Sequence, residues 1–144
     1  MAGMTLIVRT TSRLLFPFIF LFGVYIVLHG HLTPGGGFPG GVIIAASVVM
    51  LILAYGIEQA QRRVSILQAE MLDVIGSVTI AVIGLVGIFL QVYFLQNVFP
   101  LGGFEHLFSG GDLAPLYIGV GVKVTAGILL IFYAMLFALW GERE

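Results

Sequence analysis

The stretch Leu72–Leu95, LDVIGSVTIAVIGLVGIFLQVYFL, decides the fold; its one charge, Asp73, stands at its start. Crossing roughly 30 Å of hydrocarbon takes about 20 mostly apolar residues in a helix. In lipid every backbone N–H and C=O must find a partner inside the segment, so such a run is a spanning helix. Three further runs qualify, at about Leu14–Leu28, Phe38–Ile57 and Pro115–Trp140. The expected fold is an all-α integral membrane protein with four transmembrane helices in one domain spanning residues 1–144.

The composition agrees. Of 144 residues, 60% are hydrophobic and only 9% charged, where a soluble domain carries about 25%. Too little charge is present to cover a water-facing surface, which excludes a soluble enzyme or a disordered tail. The chain has 6 basic and 7 acidic residues, net −1, and no Cys. It therefore offers no basic face to nucleic acid. It also lacks thiolates for disulfides, iron–sulfur clusters or thiol chemistry. No metal site and no cofactor is expected.

Orientation follows from Lys and Arg in the short connections. Arg9 and Arg13 precede the first span, Arg62 and Arg63 lie between the second and third, and Arg143 follows the fourth. The other two connections hold neither residue type. Both termini are thus expected on the cytoplasmic side of the cell membrane. Pro17 is expected near the start of the first helix, where a missing N–H costs little. Glu58–Met71 reads as an interfacial helical loop. Gln96–Ala114, with Phe99, Phe104 and Phe108, reads as a folded outer loop.

Helices in lipid associate through close packing of small residues. In span three Asp73, Gly76, Ser77, Gly84, Gly87 and Gln91 share one stripe. Span four has Gly119, Lys123, Ala126, Gly127 and Ala134, and span two has Gly40, Ser47, Ala54 and Glu58. Packing explains the glycines and alanines but not the charges.

Lys123 is the one charge well inside an apolar stretch, GVGVKVTAG, about 12 Å from the outer end of its span at 1.5 Å per residue. A charge there costs a few kcal/mol and faces protein or a water-filled path as a rule. Three readings stay open: a place in an ion path, a buried pair with a carboxylate, or snorkelling to the interface. Glu70 and Asp73 stand at the expected cytoplasmic start of span three. They could complement the helix N-terminus and pair with Arg62 or Arg63, or receive a cation from the cytoplasm. His29 and His31 flank Gly30 at the outer end of span one. Hydrogen bonding to the loop is their default role, and a proton-titrating role is the alternative.

The connection between spans one and two, Gly30–Gly41, reads GHLTPGGGFPGG, with six Gly and two Pro among twelve positions. Glycine permits close backbone approach and positive φ, while Pro34 and Pro39 fix φ and lack donors. The expectation is a stiff, irregular backbone. At membrane depth that is tolerated only where protein or a water-filled cavity covers it. Gly30, Pro34, Gly35, Gly36, Gly37, Phe38, Gly40 and Gly41 are therefore candidate interface residues.

In a chain of this size, HGHLTPGGGFPGG between two spans resembles the MnhB subunit of the Mrp-type (Mnh) multisubunit cation/proton antiporters. It also resembles the related subunit of archaeal membrane-bound hydrogenase and sulfur-reducing complexes. GVGVKV, Gly119–Val124, resembles that family's last helix. The resemblance covers nearly the whole chain. It implies a small, cofactor-free, non-catalytic subunit among other membrane subunits, in an assembly that exchanges Na+ for H+ or couples a redox reaction to ion pumping. It also implies functional importance for Gly30, His31, Pro34–Phe38, Gly40 and Gly41.

Two classes of function follow. In the first the chain contributes to Na+ and H+ translocation, with Lys123, Asp73, His31, His29 and Glu70 as ion-path candidates. In the second it is a structural spacer that packs and seals neighbouring subunits, and Lys123 pairs with a partner's carboxylate. A self-contained homo-oligomeric carrier ranks below both, because so few ionisable residues must then handle two coupled ions.

Overall fold

The computed structural model describes residues 4–30, 35–56, 64–90, 93–95 and 111–141. Four helices occur among them: α1 Leu6–His29, α2 Gly37–Tyr55, α3 Ile66–Phe89 and α4 Leu113–Gly141. Each is long and apolar enough to cross a membrane. His31, Pro34, Glu58, Arg62, Arg63, Arg143 and most of the expected outer loop lie outside the described residues.

The helix starts differ from the sequence reading, and each has a local cause. α1 begins at Leu6, eight residues before Leu14. The Thr10 hydroxyl donates to the Leu6 carbonyl oxygen at 3.0 Å and is satisfied within the helix. Pro17 is consequently internal to α1 and leaves the Arg13 carbonyl without its usual donor. α2 stops at Tyr55 because Gly56 takes φ +90°, and its N–H donates to the Ile52 oxygen at 2.9 Å.

α3 begins at Ile66, six residues before Leu72. Ser65 and Gln68 form a reciprocal capping box. The Gln68 N–H donates to Ser65 Oγ at 3.2 Å, and the Ser65 N–H donates to Gln68 Oε1 at 3.1 Å. Ile66–Met71 therefore extends the spanning helix and is no separate interfacial element. At its other end α3 stops at Phe89 and falls short of Leu95. Residues 93–95 turn back, and the Phe94 ring lies over buried Gly84, where a Cβ would come within 2.5 Å of it. α4 opens at Leu113, with Pro115 in its first turn, where no intrahelical partner for its missing N–H is needed.

α4 is the connector. α1 packs mainly on α2, α2 packs on α4, and α3 packs chiefly on α4. The spatial order is thus α1, α2, α4, α3. A small apolar core of Ile52, Leu129 and Tyr133 fills the α2–α4 seam, with Val48, Val49, Ile66, Phe132 and Leu136 against it. The buried Tyr133 hydroxyl donates to the Val64 oxygen at 2.9 Å, tying the approach to α3 onto α4.

Candidate functional site

α4 presents two small-residue faces to two neighbours. Toward α2, Gly121 and Thr125 meet Gly37 and Gly41. A Cβ on Gly41 would lie 2.7 Å from the Gly121 oxygen, and one on Gly37 would collide with the Tyr117 oxygen and come 3.0 Å from the Gly121 nitrogen. The Thr125 hydroxyl lies 2.7 Å from the Gly121 oxygen of its own helix and 3.1 Å from the Gly41 oxygen across the seam.

Toward α3, Gly119, Lys123 and Gly127 meet Gly76 and its neighbours. A Cβ on Gly76 would fall 2.8 Å from both the Cβ and the backbone nitrogen of Lys123, and 3.0 Å from the Gly119 oxygen. With no side chain at Gly76 the two backbones come close enough for the lysine stem to lie along α3. At its tip, Lys123 Nζ donates to Asp73 Oδ1 at 3.1 Å, to Oδ2 at 3.3 Å and to Ser77 Oγ at 2.7 Å. The Ser77 hydroxyl donates in turn to the Asp73 carbonyl oxygen at 2.8 Å. Gly127 lies beneath the carboxylate, its would-be Cβ 4.0 Å from Asp73 Oδ1.

The side chains of Lys123 and Asp73 are 43% and 31% exposed on this chain alone. The ion pair is therefore formed within the chain and is open to whatever lies beside the α3–α4 seam. Asp73 stands two turns inside α3, not at its start. Lys123 pairs with it within the chain, so the carboxylate pair left open for the lysine is formed here, while Arg62 and Arg63 lie outside the described residues. Glu70 is exposed one turn nearer the start of α3.

The remaining candidates lie elsewhere. His29 stacks on Tyr25 with ring centroids 4.2 Å apart at the end of α1. Gly36 holds φ +119° beside the Tyr117 ring, a conformation that disfavours any side chain, and a Cβ on Gly30 would collide with the Gly36 backbone. Gly35 and Phe38 are exposed. Gly40 packs on α1, where its Cβ would sit 2.9 Å from the Gly23 oxygen and the Val27 nitrogen. Gly87 lies in α3. The last five residues of the glycine-rich motif, Gly37–Gly41, are thus the start of α2, and Gly35–Gly36 is its irregular part among the described residues. Among those residues no three His, Asp or Glu side chains converge as metal ligands.

The sequence reading did not single out Thr125, nor the α2-facing side of α4. The available signal was the four-residue spacing Gly37–Gly41 against Gly121–Thr125, a small-xxx-small pattern on each helix.

Residues 7–130 match the domain related to the MnhB subunit of Na+/H+ antiporter. The chain belongs to the MnhB-related family. A Na+/H+ antiporter subunit of Bacillus subtilis is 35% identical over 129 residues, covering 83% of this chain and 88% of that protein. An uncharacterized protein of Methanocaldococcus jannaschii is 34% identical over 112 residues, 74% of this chain; the matched part is 42% of that protein's length. Among solved structures, a chain of the membrane-bound sulfane sulfur reductase, an archaeal respiratory membrane complex, superposes with a TM-score of 0.77 at 34% identity. The match covers 91% of this chain and 57% of that one.

Proposed function

We propose that this chain is a non-catalytic membrane subunit of a multisubunit cation/proton antiporter module, set within a stand-alone antiporter or a respiratory complex. It contributes to Na+ and H+ translocation. The observation that carries the reading is the Lys123–Asp73–Ser77 cluster inside two spanning helices, half-open at the α3–α4 seam. An ion pair turned toward acyl chains would cost several kcal/mol. Enclosure by a sister subunit or by a water-filled path removes that cost. The family and the two named relatives, an antiporter subunit and a respiratory complex, support such an assembly.

In this reading Glu70, Asp73 and Ser77 give α3 a polar track from its start to the Lys123 ammonium. The glycines from Gly36 to Gly41 form a close-packed wall at the head of α2. The partners are the other membrane subunits, the two ions and the bilayer, in the cytoplasmic membrane; no cofactor and no nucleic acid is involved.

The second reading, a packing spacer, draws on the same ion pair as a staple between α3 and α4. Lys123→Ala separates the two when the assembled complex is measured by blue-native electrophoresis beside a transport assay. The translocation reading expects intact assembly with reduced ion transport. Unchanged transport by the assembled variant overturns it, and loss of assembly before any transport defect assigns the pair to packing.

A further inference from the structure

Arg9 and Arg13 lie one turn apart on α1, so their cationic heads share a face. Neither forms an ion pair among the described residues. The Arg9 guanidinium sits 5.9 Å from the centre of the Tyr55 ring, on α2. Its Nε is buried and has no acceptor among the described residues, and the Tyr55 hydroxyl donates to the Arg9 main-chain oxygen at 3.5 Å. Arg13 is exposed. Like charges at this spacing repel, and one anion held between the two terminal guanidinium groups relieves that repulsion. Counting back from His29, Arg9 lies about 30 Å along the helix, one hydrocarbon thickness away. This puts the two guanidinium groups at headgroup level. Leu14 and Phe18, deeper on the same helix, are 65% and 66% exposed, a bare apolar surface on the hydrocarbon side of the charges that suits acyl chains.

We propose that Arg9 and Arg13, backed by Tyr55, bind the phosphate of an anionic phospholipid at this end of α1. Guanidinium groups hold phosphate oxygens through paired, charge-assisted hydrogen bonds. The Tyr55 ring fixes Arg9, and Arg13 supplies the second fork from one turn deeper by extending its stem toward the interface. The site rests on residues apart from the Lys123 cluster and stands independently of any transport role.

The test uses the full chain in neutral detergent and follows thermal unfolding with added phosphatidylglycerol, phosphatidylcholine or inorganic phosphate. Phosphatidylglycerol is expected to raise the midpoint and phosphatidylcholine to leave it unchanged. Arg9→Gln with Arg13→Gln should weaken the apparent affinity for phosphatidylglycerol roughly tenfold or more. Equal stabilisation of wild type and variant by phosphatidylglycerol overturns the site. An equal shift from inorganic phosphate overturns the lipid as its source. Should the double variant fail to fold, native mass spectrometry of Arg13→Gln alone decides: it should retain less phosphatidylglycerol than wild type, and equal retention refutes the proposal. In the native complex, release of a neighbouring subunit by Arg13→Gln with lipid retention unchanged would assign the pair to a protein carboxylate instead.

Discussion

Lys123 uses its three protons on Asp73 and Ser77, so each member of the cluster depends on the others. Removing one partner of a buried pair costs about 3–5 kcal/mol, whereas replacing both by apolar groups is close to neutral; on the isolated chain this pair is half-open, so the cost there falls below that range. Asp73→Asn and Lys123→Ala should each lower the unfolding midpoint of the purified chain. Lys123→Met combined with Asp73→Leu should recover most of it while leaving transport by the complex impaired. A double variant no more stable than the singles would show that the two side chains do not act as a pair. Ser77→Ala removes one interhelical hydrogen bond and should cost roughly 0.6 kcal/mol, a small shift by the same measurement. The lysine was legible because a lone charge in an apolar run is conspicuous. Its partner was not, because Asp73 was placed at a helix end. The Ser65–Gln68 capping box, which moves that end back to Ile66, was the unread signal.

Between elements, glycines set how closely the helices approach, and the atoms they face rank their importance. A Cβ on Gly40 meets main-chain atoms of α1 at 2.9 Å, which give way only if the helix moves. A Cβ on Gly119 meets side-chain atoms of Thr79 and Ile80 at 3.2 and 3.3 Å, which need give by only a few tenths of an ångström. Gly40→Val should therefore destabilise by at least the roughly 1–3 kcal/mol of an overpacked core, and Gly119→Ala by much less. Thermal unfolding of the two variants checks the order, and a reversed order would contradict the packing described for α1 on α2. The glycine stripes were visible in the sequence as faces. Which helix each face meets was not, since a stripe has no address, and α4 carries two of them.

At the level of the whole molecule, four helices long enough to span would leave both ends of the chain on one side of the bilayer, as the sequence reading expects. The chain has no Cys, so single-cysteine labelling is clean. Met4→Cys and Val64→Cys are expected to react with an impermeant maleimide from the cytoplasmic side, and Asp112→Cys from the opposite side. Labelling of Met4 and Val64 from opposite sides would contradict the arrangement. The number of spans was legible because hydropathy over twenty residues is a strong signal. The spatial order was not, because sequence neighbours α2 and α3 are separated by α4.

That order has a consequence for biosynthesis. α1 and α2 are made consecutively and can close their hairpin at once, through Gly23, Gly40 and Val27. α3 emerges next, while its main docking surface is still unmade. Asp73 must then wait in the translocation machinery or the bilayer without its ammonium until the last helix arrives. A ribosome stalled before Leu113 would hold a nascent chain with an orphaned carboxylate, the state in which membrane chaperones and quality-control proteases find their clearest target.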